Sequence, residues 1–147
     1  MWRMKSPGNR RAGRAPEAER RIRASGERLT APRAAVLAAL IGSGRALTHH
    51  EIGQALRRRA VDRVTIYRVL EWLTASGLAH RIAGDDRVWR FVASRPGAGA
   101  HAHFTCSSCG RTICLDRVAV RAPSRVPRGW VLREVEMNLK GLCASCH

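Results

Sequence analysis

The feature that most constrains this chain is a pair of matched cysteine motifs near its end. Cys106 and Cys109 form one C-x2-C motif, and Cys143 and Cys146 form a second one 33 residues later. A C-x2-C turn brings two thiolates within reach of one ion, so two such turns predict a closed, tetrahedral zinc site with four cysteine ligands. A segment of about 48 residues has a small core, so a structural metal contributes strongly to its folding.

Other uses of these cysteines stay open at this level. A disulfide pair, a thioredoxin-like dithiol and a single unpaired C-x2-C motif fit the spacing, although the basic surroundings and the lack of a βαβ pattern disfavour redox chemistry. Cys143–His147 also matches the C-x2-C-H pattern of covalent haem attachment, which requires export. The N-terminus lacks the apolar stretch of a signal peptide, so we expect a cytoplasmic protein. Because that compartment is reducing, we expect its cysteines to bind zinc rather than to form disulfides.

The net charge indicates a polyanionic partner. The 147 residues carry 27 Lys and Arg against 11 Asp and Glu, a net charge of +16, and residues 1–99 contribute +12 of it with 20 basic and 8 acidic side chains. A strongly basic half joined to a half of lower net charge suggests a nucleic-acid-binding domain with an accessory domain. No apolar run approaches the roughly 18 residues of a membrane span, so no membrane partner is expected.

Three helices are predicted from their N-cap residues. Thr30 precedes a helix whose first turn contains Pro32, and Thr48 forms a capping box with Glu51. Asp62 caps a further helix. The apolar residues of that helix define its expected buried side: Val64, Ile66, Val69, Leu70 and Leu73.

The first half of the chain has the element order of a winged helix. A short helix over Glu17–Ser25 precedes the three capped helices, and two strand-like stretches, Leu78–Ile82 and Val88–Val92, follow them around a glycine-containing turn. In a helix-turn-helix protein the last helix enters the major groove of DNA. A generic helical bundle is the alternative, which the basic charge and the hairpin disfavour.

Composition divides the chain into four parts. Residues 1–15 are interpreted as a flexible basic arm, 16–93 as the winged-helix domain, 94–100 as a hinge linker, and 101–147 as a small zinc-binding domain. The predicted fold class is therefore α+β. The last domain is expected to be rich in short strands: His103–Cys106, Thr112–Leu115 and Trp130–Leu139.

A second set of ligand-type residues is left over from the four-cysteine site. His101 and His103 are spaced so that both rings face one side of a strand, and Cys114 is the fifth cysteine. With His80, on the first strand of the hairpin, they make a suitable tetrahedral set for zinc. A site built from both domains would favour one arrangement of them when filled, which is a plausible allosteric device.

Structural roles compete with this interpretation. Surface histidines are commonly only solvated, and Cys114 could be a small buried apolar residue. His49 and His50, near the start of a helix, are interpreted as surface or DNA-proximal residues rather than ligands.

With these pieces in place, the chain resembles the ferric uptake regulator family of bacterial metal-dependent repressors, from about Glu27 to Cys146. Four motifs carry the resemblance: RLTAPR at 28–33, VTIYRVL at 64–70, HAHFTCSSCG at 101–110 and GLCASC at 141–146. The resemblance implies a homodimer with a winged-helix domain and a C-terminal dimerisation domain. It also implies a structural zinc on the four cysteines and a regulatory metal site at the hinge, which closes the dimer onto an AT-rich palindromic operator.

The resemblance also assigns DNA contacts. Tyr67 would contact a base and Arg68 a phosphate, and Thr65, which opens the same T-[VI]-Y-R stretch, is assigned to the DNA-binding residues with them. Arg28 would reach the minor groove, and Arg33 would contact the DNA backbone. A packing role under the helix is the alternative for Tyr67.

Departures from the family pattern favour zinc as the sensed metal. Iron and manganese sensors of the family fill the hinge site with histidines and carboxylates, but here Ala46, Arg90, Ala102 and Cys114 stand at such positions. His80, in Gly77-Leu-Ala-His, is similar to a ligand of the zinc uptake regulator branch. A thiolate in place of a carboxylate moves the preference from Fe(II) or Mn(II) toward Zn(II).

We therefore predict a zinc-responsive repressor that binds duplex DNA as a dimer, with one structural and one regulatory metal. One alternative is a regulator of the same family that responds to iron or manganese. Others are a constitutive zinc-ribbon nucleic-acid-binding protein and a dithiol oxidoreductase using Cys106 and Cys109. No constellation for acyl, phosphoryl or hydride transfer is visible, so an enzyme is not expected.

Overall fold

The computed structural model describes residues 13–95, 101–115, 118–133 and 135–147. They fall into two units, Met1–Ser94 and Arg95–His147. Residues 1–12 of the expected arm and 96–100 of the expected linker lie outside the described residues. Among the described residues, no helix is both long enough and apolar enough to cross a membrane.

Four helices build the first unit. Their bounds are Arg14–Ala24 for α1, Ala31–Ser43 for α2, His49–Ala55 for α3 and Arg63–Ala75 for α4. The first helix begins at Arg14, inside the stretch 1–15 for which we expect an arm. A short 3-10 turn over Arg57–Arg59 follows α3.

The predicted caps are confirmed. Thr48 Oγ1 accepts from the backbone N–H of Glu51 at 3.2 Å, and the Glu51 carboxylate accepts from the Thr48 N–H at 2.7 Å, which completes the capping box. Asp62 accepts from the N–H of Thr65 at 2.9 Å, and Thr30 caps α2. These bonds satisfy N–H groups that the first turn of a helix leaves without partners.

The core of the first unit lies between the helices and a small sheet, and one predicted member of it is wrong. Val64 is 60% exposed, because a helix turns by about 100° per residue and position 64 therefore points away from position 66. The other predicted residues of α4 are buried with partners from α1, α2 and α3. The largest of these fully buried side chains are Ile22, Val36, Leu37, Ile52, Ile66, Leu70 and Leu73.

The sheet of the first unit contains the predicted hairpin and one strand that the sequence analysis missed. Leu47–Thr48 forms β1, Ala79–Ala83 forms β2 and Trp89–Ala93 forms β3, in the order β1-β3-β2 with antiparallel pairing throughout. Both hairpin strands begin one residue later than predicted. We call this hairpin, β2 and β3 with their turn, the wing.

A second three-stranded sheet forms the other unit. Ala102–Cys106 is β4, Thr112–Leu115 is β5 and Met137–Gly141 is β6, in the order β5-β4-β6. Strands β4 and β5 are antiparallel, whereas β4 and β6 are parallel. The predicted α+β fold class, with a winged-helix domain and a small strand-rich domain, is confirmed.

The predicted strand over Trp130–Leu139 is wrong in its first part. The N–H of Trp130 donates to the Pro127 carbonyl at 3.0 Å in a turn, and Gly129 has a φ of 85°. Pairing with β4 begins only at Met137, because Ala102 is the first residue of β4 and lies opposite it. The apolar side chains of Trp130 and Val131 are left 73% and 82% exposed.

Candidate metal centres and nucleic-acid interface

The parallel pairing of β4 with β6 brings the two C-x2-C motifs together. Cys106 ends β4 directly opposite Gly141, the last residue of β6, so the turns that follow both strands meet at one end of the sheet. The ligand sulfurs of the four cysteines all lie within 4.8 Å of one another. All four lie in the described part of the chain, and no disulfide joins them.

Backbone groups support the thiols. The N–H of Cys143 donates to Cys106 Sγ at 3.3 Å, and the N–H of Gly110 donates to the Cys106 carbonyl at 2.9 Å. Cys109 Sγ and Cys143 Sγ are 3.8 Å apart. Cys106 is 1% exposed, so one ligand of the set is held inside the unit while the others lie nearer the surface.

The acidities of these thiols differ. The backbone N–H groups of Cys109 and then Cys143 lower the pKa of Cys106 to about 6. At Cys146 the Ser108 hydroxyl lowers the pKa, but the neighbouring thiols raise it more, and it reaches about 11. The last proton of the cluster is therefore hard to remove when no cation is present. A cation that replaces the protons would offset the repulsion between the neighbouring thiolates.

The donor set fits zinc. Four sulfurs from two C-x2-C turns are the ligands of a closed structural zinc site, and a bound Zn²⁺ would cross-link the ends of two strands. It would supply folding free energy rather than chemistry at this position.

A second cluster lies on the other part of the same sheet. His103 and Cys114 are directly opposite each other in the β4–β5 pair. The rings of His101 and His103 are 4.8 Å apart between centroids and nearly perpendicular. The ligand atoms of these three residues lie within 4.8 Å of one another, which gives two imidazoles and one thiol around a common point.

Burial keeps one member of this cluster neutral. His103 is 5% exposed, and burial, followed by the nearby His101, lowers its pKa to about 4. A neutral imidazole offers a lone pair to a cation at neutral pH without first losing a proton. The two-nitrogen, one-sulfur donor set suits zinc.

The other predicted ligand, His80, lies in the first unit on β2. It pairs with Val92 across the wing, and its Nδ1 is 3.3 Å from Ser94 Oγ. The Ser94 carbonyl in turn accepts from the Arg21 guanidinium at 2.7 Å, so the end of this unit is tied to α1. An imidazole bound to metal through one nitrogen commonly holds a hydrogen bond through the other.

The predicted base contact lies on the outer face of α4. Tyr67 is 57% exposed, and its ring centroid lies 6.0 Å from that of His49. Arg68 is exposed beside it. Thr65 differs, because its hydroxyl donates to Asp62 at 2.5 Å and belongs to the cap of the helix.

The two arginines of the RLTAPR motif have different surroundings. Arg28 is exposed, and its carbonyl accepts from the Arg33 guanidinium at 2.6 Å. The Arg33 guanidinium also lies 3.7 Å from the centre of the Trp72 ring and 3.9 Å from Glu27. Part of the bonding capacity of Arg33 is therefore used inside the unit, which the motif alone does not reveal.

Sequence reasoning missed a groove beside Tyr67. A cavity of about 1210 Å³ lies between α3, α4 and the wing. Its walls carry Arg57 and Arg63 on the helix side and Arg81 and Trp89 on the wing. The alternation of residue types in Trp-Arg-Phe at 89–91 indicates which side chains of this strand share a face. Whether Arg81 lies on the same face as Trp89 depends on the strand register, which the turn sets.

Comparison with known proteins gives a consistent result. Residues 24–140 match the family described as "Ferric uptake regulator family". The chain is 35% identical over 136 residues to the transcriptional regulator FurA of Mycobacterium bovis, covering 89% of this chain and 90% of that protein. It is 38% identical over 104 residues to ferric uptake regulation protein 1 of Mycolicibacterium fortuitum, covering 69% of this chain and 63% of that protein.

A solved structure of similar fold is that of a zinc uptake regulator complexed with zinc and DNA. It aligns with a TM-score of 0.67 and 22% identity, over 96% of this chain and 95% of that chain.

Proposed function

Because the chain belongs to the ferric uptake regulator family, and is thus a metal-responsive transcriptional regulator, we propose that it is a zinc-responsive repressor. It works in the cytoplasm as a homodimer on an AT-rich palindromic operator. Members of this family are transcription factors, not enzymes. The observation that carries the choice of zinc is the thiol of Cys114, which stands opposite His103 with His101 beside it.

Two zinc sites follow from the donor sets. Cys106, Cys109, Cys143 and Cys146 hold the structural ion, which four sulfurs within 4.8 Å of one another support. The regulatory ion is held by His101, His103 and Cys114, and His80 is the fourth ligand. The likeness of His80 to a zinc-regulator ligand and the hydrogen bond at its Nδ1 support that role.

The regulatory step is a shift between arrangements of the two units. Bound Zn²⁺ would supply a positive centre that imidazoles from both units coordinate. His103 enters the site already neutral, and Cys114 gives up its proton. The DNA-binding arrangement is the one in which His80 also binds the ion. The free energy of the His80–metal bond favours that arrangement over the other, and a population shift requires such a difference in affinity.

The operator is contacted through α4. Tyr67 meets a base and Arg68 a phosphate, which the exposure of both side chains supports. Arg28 enters the minor groove, since its side chain is exposed next to the start of α2. Thr65 and Arg33 contribute mainly by fixing α4 and the segment before α2, because their polar groups bind Asp62, Glu27 and the Arg28 carbonyl.

The second unit supplies the dimer interface. It leaves several apolar side chains exposed, and a second copy of this chain would cover them. These side chains are Trp130, Val131, Leu132 and Leu142.

A zinc titration of DNA binding tests the proposal. Protein that retains only its tightly held metal is titrated with Zn(II) against labelled DNA from upstream of its own gene, at fixed salt. We expect His101→Ala and Cys114→Ala to weaken zinc-dependent binding by at least tenfold while one zinc per chain and the fold are retained. Variants that bind like the parent would contradict the assigned regulatory site.

The alternative response to iron is favoured by the names of the sequence relatives FurA and ferric uptake regulation protein 1. Repeating the titration with anaerobic Fe(II) and Mn(II) separates the two. Binding that no metal alters would instead indicate a constitutive nucleic-acid-binding protein with a structural zinc only.

A further inference from the structure

Ser94 lies beside His80 where the first unit ends. His80 is opposite Val92 in the pairing of β2 with β3, and Ser94 follows Val92 by two residues. Because side chains two residues apart on a strand share a face, His80 and Ser94 are diagonal neighbours on one side of the sheet. His80 Nδ1 is 3.3 Å from Ser94 Oγ. The hydroxyl is thus placed to hold one ring nitrogen of the proposed fourth ligand.

The backbone of Ser94 is held from two directions. Its N–H donates to the Leu78 carbonyl at 2.9 Å, which extends the pairing of the wing strands beyond Ala93. Its carbonyl accepts from the Arg21 guanidinium of α1 at 2.7 Å. Both main-chain groups of Ser94 are therefore bonded within the first unit, and this fixes the point from which its side chain extends.

Arg21 is itself held in position. Its guanidinium also donates to the Glu17 carboxylate at 2.5 Å, one helical turn earlier on α1, and the side chain is only 17% exposed. The same helix is anchored in the core by Ala18 and Ile22, which are both fully buried. A continuous series of contacts thus runs from a packed helix through Arg21 and Ser94 to the His80 ring.

A hydroxyl at this position matters because an imidazole has two different nitrogens. A neutral ring carries one N–H, and only the other nitrogen has a lone pair for a cation. When the proton is on Nδ1, it is donated to Ser94 Oγ and Nε2 is the ligand atom. An acceptor at the N–H of a metal-binding imidazole fixes the orientation of the ring and makes its other nitrogen a stronger ligand.

We propose that Ser94 is a positioning residue for the regulatory metal. Its hydroxyl accepts from His80 Nδ1 and so presents Nε2 to the ion, while Arg21 holds Ser94 in place from α1. This inference rests on the proposed function, in which His80 is the fourth ligand, and deepens it. Because the ring is oriented before the ion arrives, less conformational freedom is lost on binding. Arg21, which is not a ligand, thereby influences the affinity for metal.

The test measures zinc affinity directly. Full-length protein that holds its structural zinc competes with a chromophoric chelator for a second Zn(II). We expect Ser94→Ala to weaken the second site about tenfold, whereas Ser94→Thr, which keeps the hydroxyl, should stay close to the parent. Arg21→Ala should lose part of the same tenfold. Its matched control is Arg20→Ala, which removes the same charge from an exposed position of α1 and should bind like the parent.

Two further measurements separate positioning from general structural support. Adding Ser94→Ala to His80→Ala should cause no further loss of zinc affinity, because Ser94 acts through His80. In ¹⁵N NMR spectra of the zinc-loaded parent, the proton on His80 Nδ1 should exchange slowly with water. This exchange should be faster in Ser94→Ala but unchanged in Ser94→Thr and Arg20→Ala.

The outcomes distinguish this inference from the function on which it rests. If Ser94→Ala binds zinc like the parent, or weakens His80→Ala as much as it weakens the parent, Ser94 does not position His80 and the regulatory site stands. If His80→Ala keeps the parent affinity, His80 is not a ligand, and this inference is refuted while the site of His101, His103 and Cys114 remains. A parent that binds no second zinc overturns the proposed regulatory site together with this inference.

Discussion

Cys114 is the residue whose chemistry matters most in the regulatory site that we propose. It stands opposite His103 on β5 and gives the cluster a soft ligand where the family commonly has a carboxylate. Thiolate prefers zinc, whereas carboxylate suits manganese and iron better. In our proposal, the metal preference of the cluster therefore depends on the Cys114 side chain.

Replacing that thiol by a carboxylate tests this dependence. Cys114→Asp keeps a negatively charged ligand and is expected to weaken the response to Zn(II) while strengthening the response to Mn(II), as judged by metal titration of DNA binding. Cys114→Ser, which keeps the size but is a poor ligand, is the matched control and should lose both responses. An unchanged preference for zinc in Cys114→Asp would show that Cys114 is not a ligand.

Cys106, in contrast to Cys114, has a structural role in our proposal, because it would bind the ion on which folding of the second unit depends. It is buried at the end of β4 and accepts a backbone hydrogen bond from Cys143. We predict that Cys106→Ala loses the structural zinc and unfolds the second unit. Zinc content by mass spectrometry and thermal unfolding check this, with Cys114→Ala as the control that keeps one zinc. A Cys106→Ala protein with full zinc content and a normal transition would contradict it.

At this scale the sequence predicts the identity of the clusters well and the use of single polar residues poorly. The C-x2-C motifs and the H-x-H spacing act over a few residues, so the proximity of the ligands within each motif follows from local geometry, whereas the meeting of the two C-x2-C motifs depends on the pairing of β4 with β6. The position of Arg33 against Trp72 and of Arg81 against Trp89 depends on contacts between distant segments. No local pattern encodes those contacts.

The helices of the first unit depend on their caps. Thr48 starts α3, which has only seven residues and therefore gains little from its own length. Thr48→Ala should lower the free energy of unfolding by about 1 kcal/mol, because it leaves an N–H group without a partner. Denaturant unfolding measures this, and Thr48→Ser, which retains the hydroxyl, should be near the parent. Equal loss in both variants would show that the cap bond is not the cause.

The same capping box makes stability depend on pH. Burial raises the pKa of Glu51, but the hydrogen bonds from Arg45 and from the Thr48 N–H outweigh it, so the pKa is lowered from its ordinary 4.5. A lowered carboxyl pKa stabilises the fold above the unfolded value, and this stabilisation is lost as pH falls through the folded value. The contribution is therefore complete at neutral pH and disappears in acid.

Glu51→Gln isolates this contribution. The amide can still accept from the Thr48 N–H, but it lacks the charge that pairs with Arg45 at 2.7 Å. At pH 7 the variant should be less stable by about 0.5–1 kcal/mol, and the difference from the parent should shrink as pH falls below 4.5 and vanish once the Glu51 carboxyl is protonated in the folded state. Urea unfolding of both proteins across pH gives this difference. A difference that is constant with pH would contradict the ionic origin.

Element boundaries were predicted where a local signal marks them. N-cap residues placed the starts of α2, α3 and α4, and glycine placed the wing turn. The two-residue strand β1 has no signal of its own, because it exists only through pairing with Arg90 and Phe91 of β3. Similarly, β6 starts at Met137 because β4 offers no partner for the residues before it.

At the scale of the whole molecule, the exposed apolar residues of the second unit are best explained by a partner. Val131 is 82% exposed and Trp130 is 73% exposed, which is unfavourable for an isolated chain in water. Sequence alone predicted strand structure here, since an apolar run that would face a second copy, as we propose, has the same pattern as one that faces a core.

A charge introduced on this surface should disturb the homodimer that we propose. Val131→Arg is expected to weaken dimerisation at least tenfold, because a guanidinium would be buried without a partner. Sedimentation across a range of protein concentrations measures the effect, and Arg128→Ala is the control from the same exposed segment. A variant that stays dimeric at every concentration where the parent is dimeric would place the interface elsewhere.

The sequence predicts a division into a DNA-binding unit and a metal-binding unit. Charge, capped helices and cysteine spacing each indicated it independently. What they do not encode is how a metal on one unit changes the DNA affinity of the other, since that coupling is a property of the assembled molecule.

The most direct test of this coupling is fluorescence anisotropy with DNA from upstream of its own gene. Protein that retains only its tightly held zinc is titrated in parallel with Zn(II), Mn(II) and anaerobic Fe(II) at one salt concentration. We predict that Zn(II) switches on tight binding and that the other two metals do so weakly or not at all. Equal binding with every metal and with none would contradict it and leave a nucleic-acid-binding protein with a purely structural zinc.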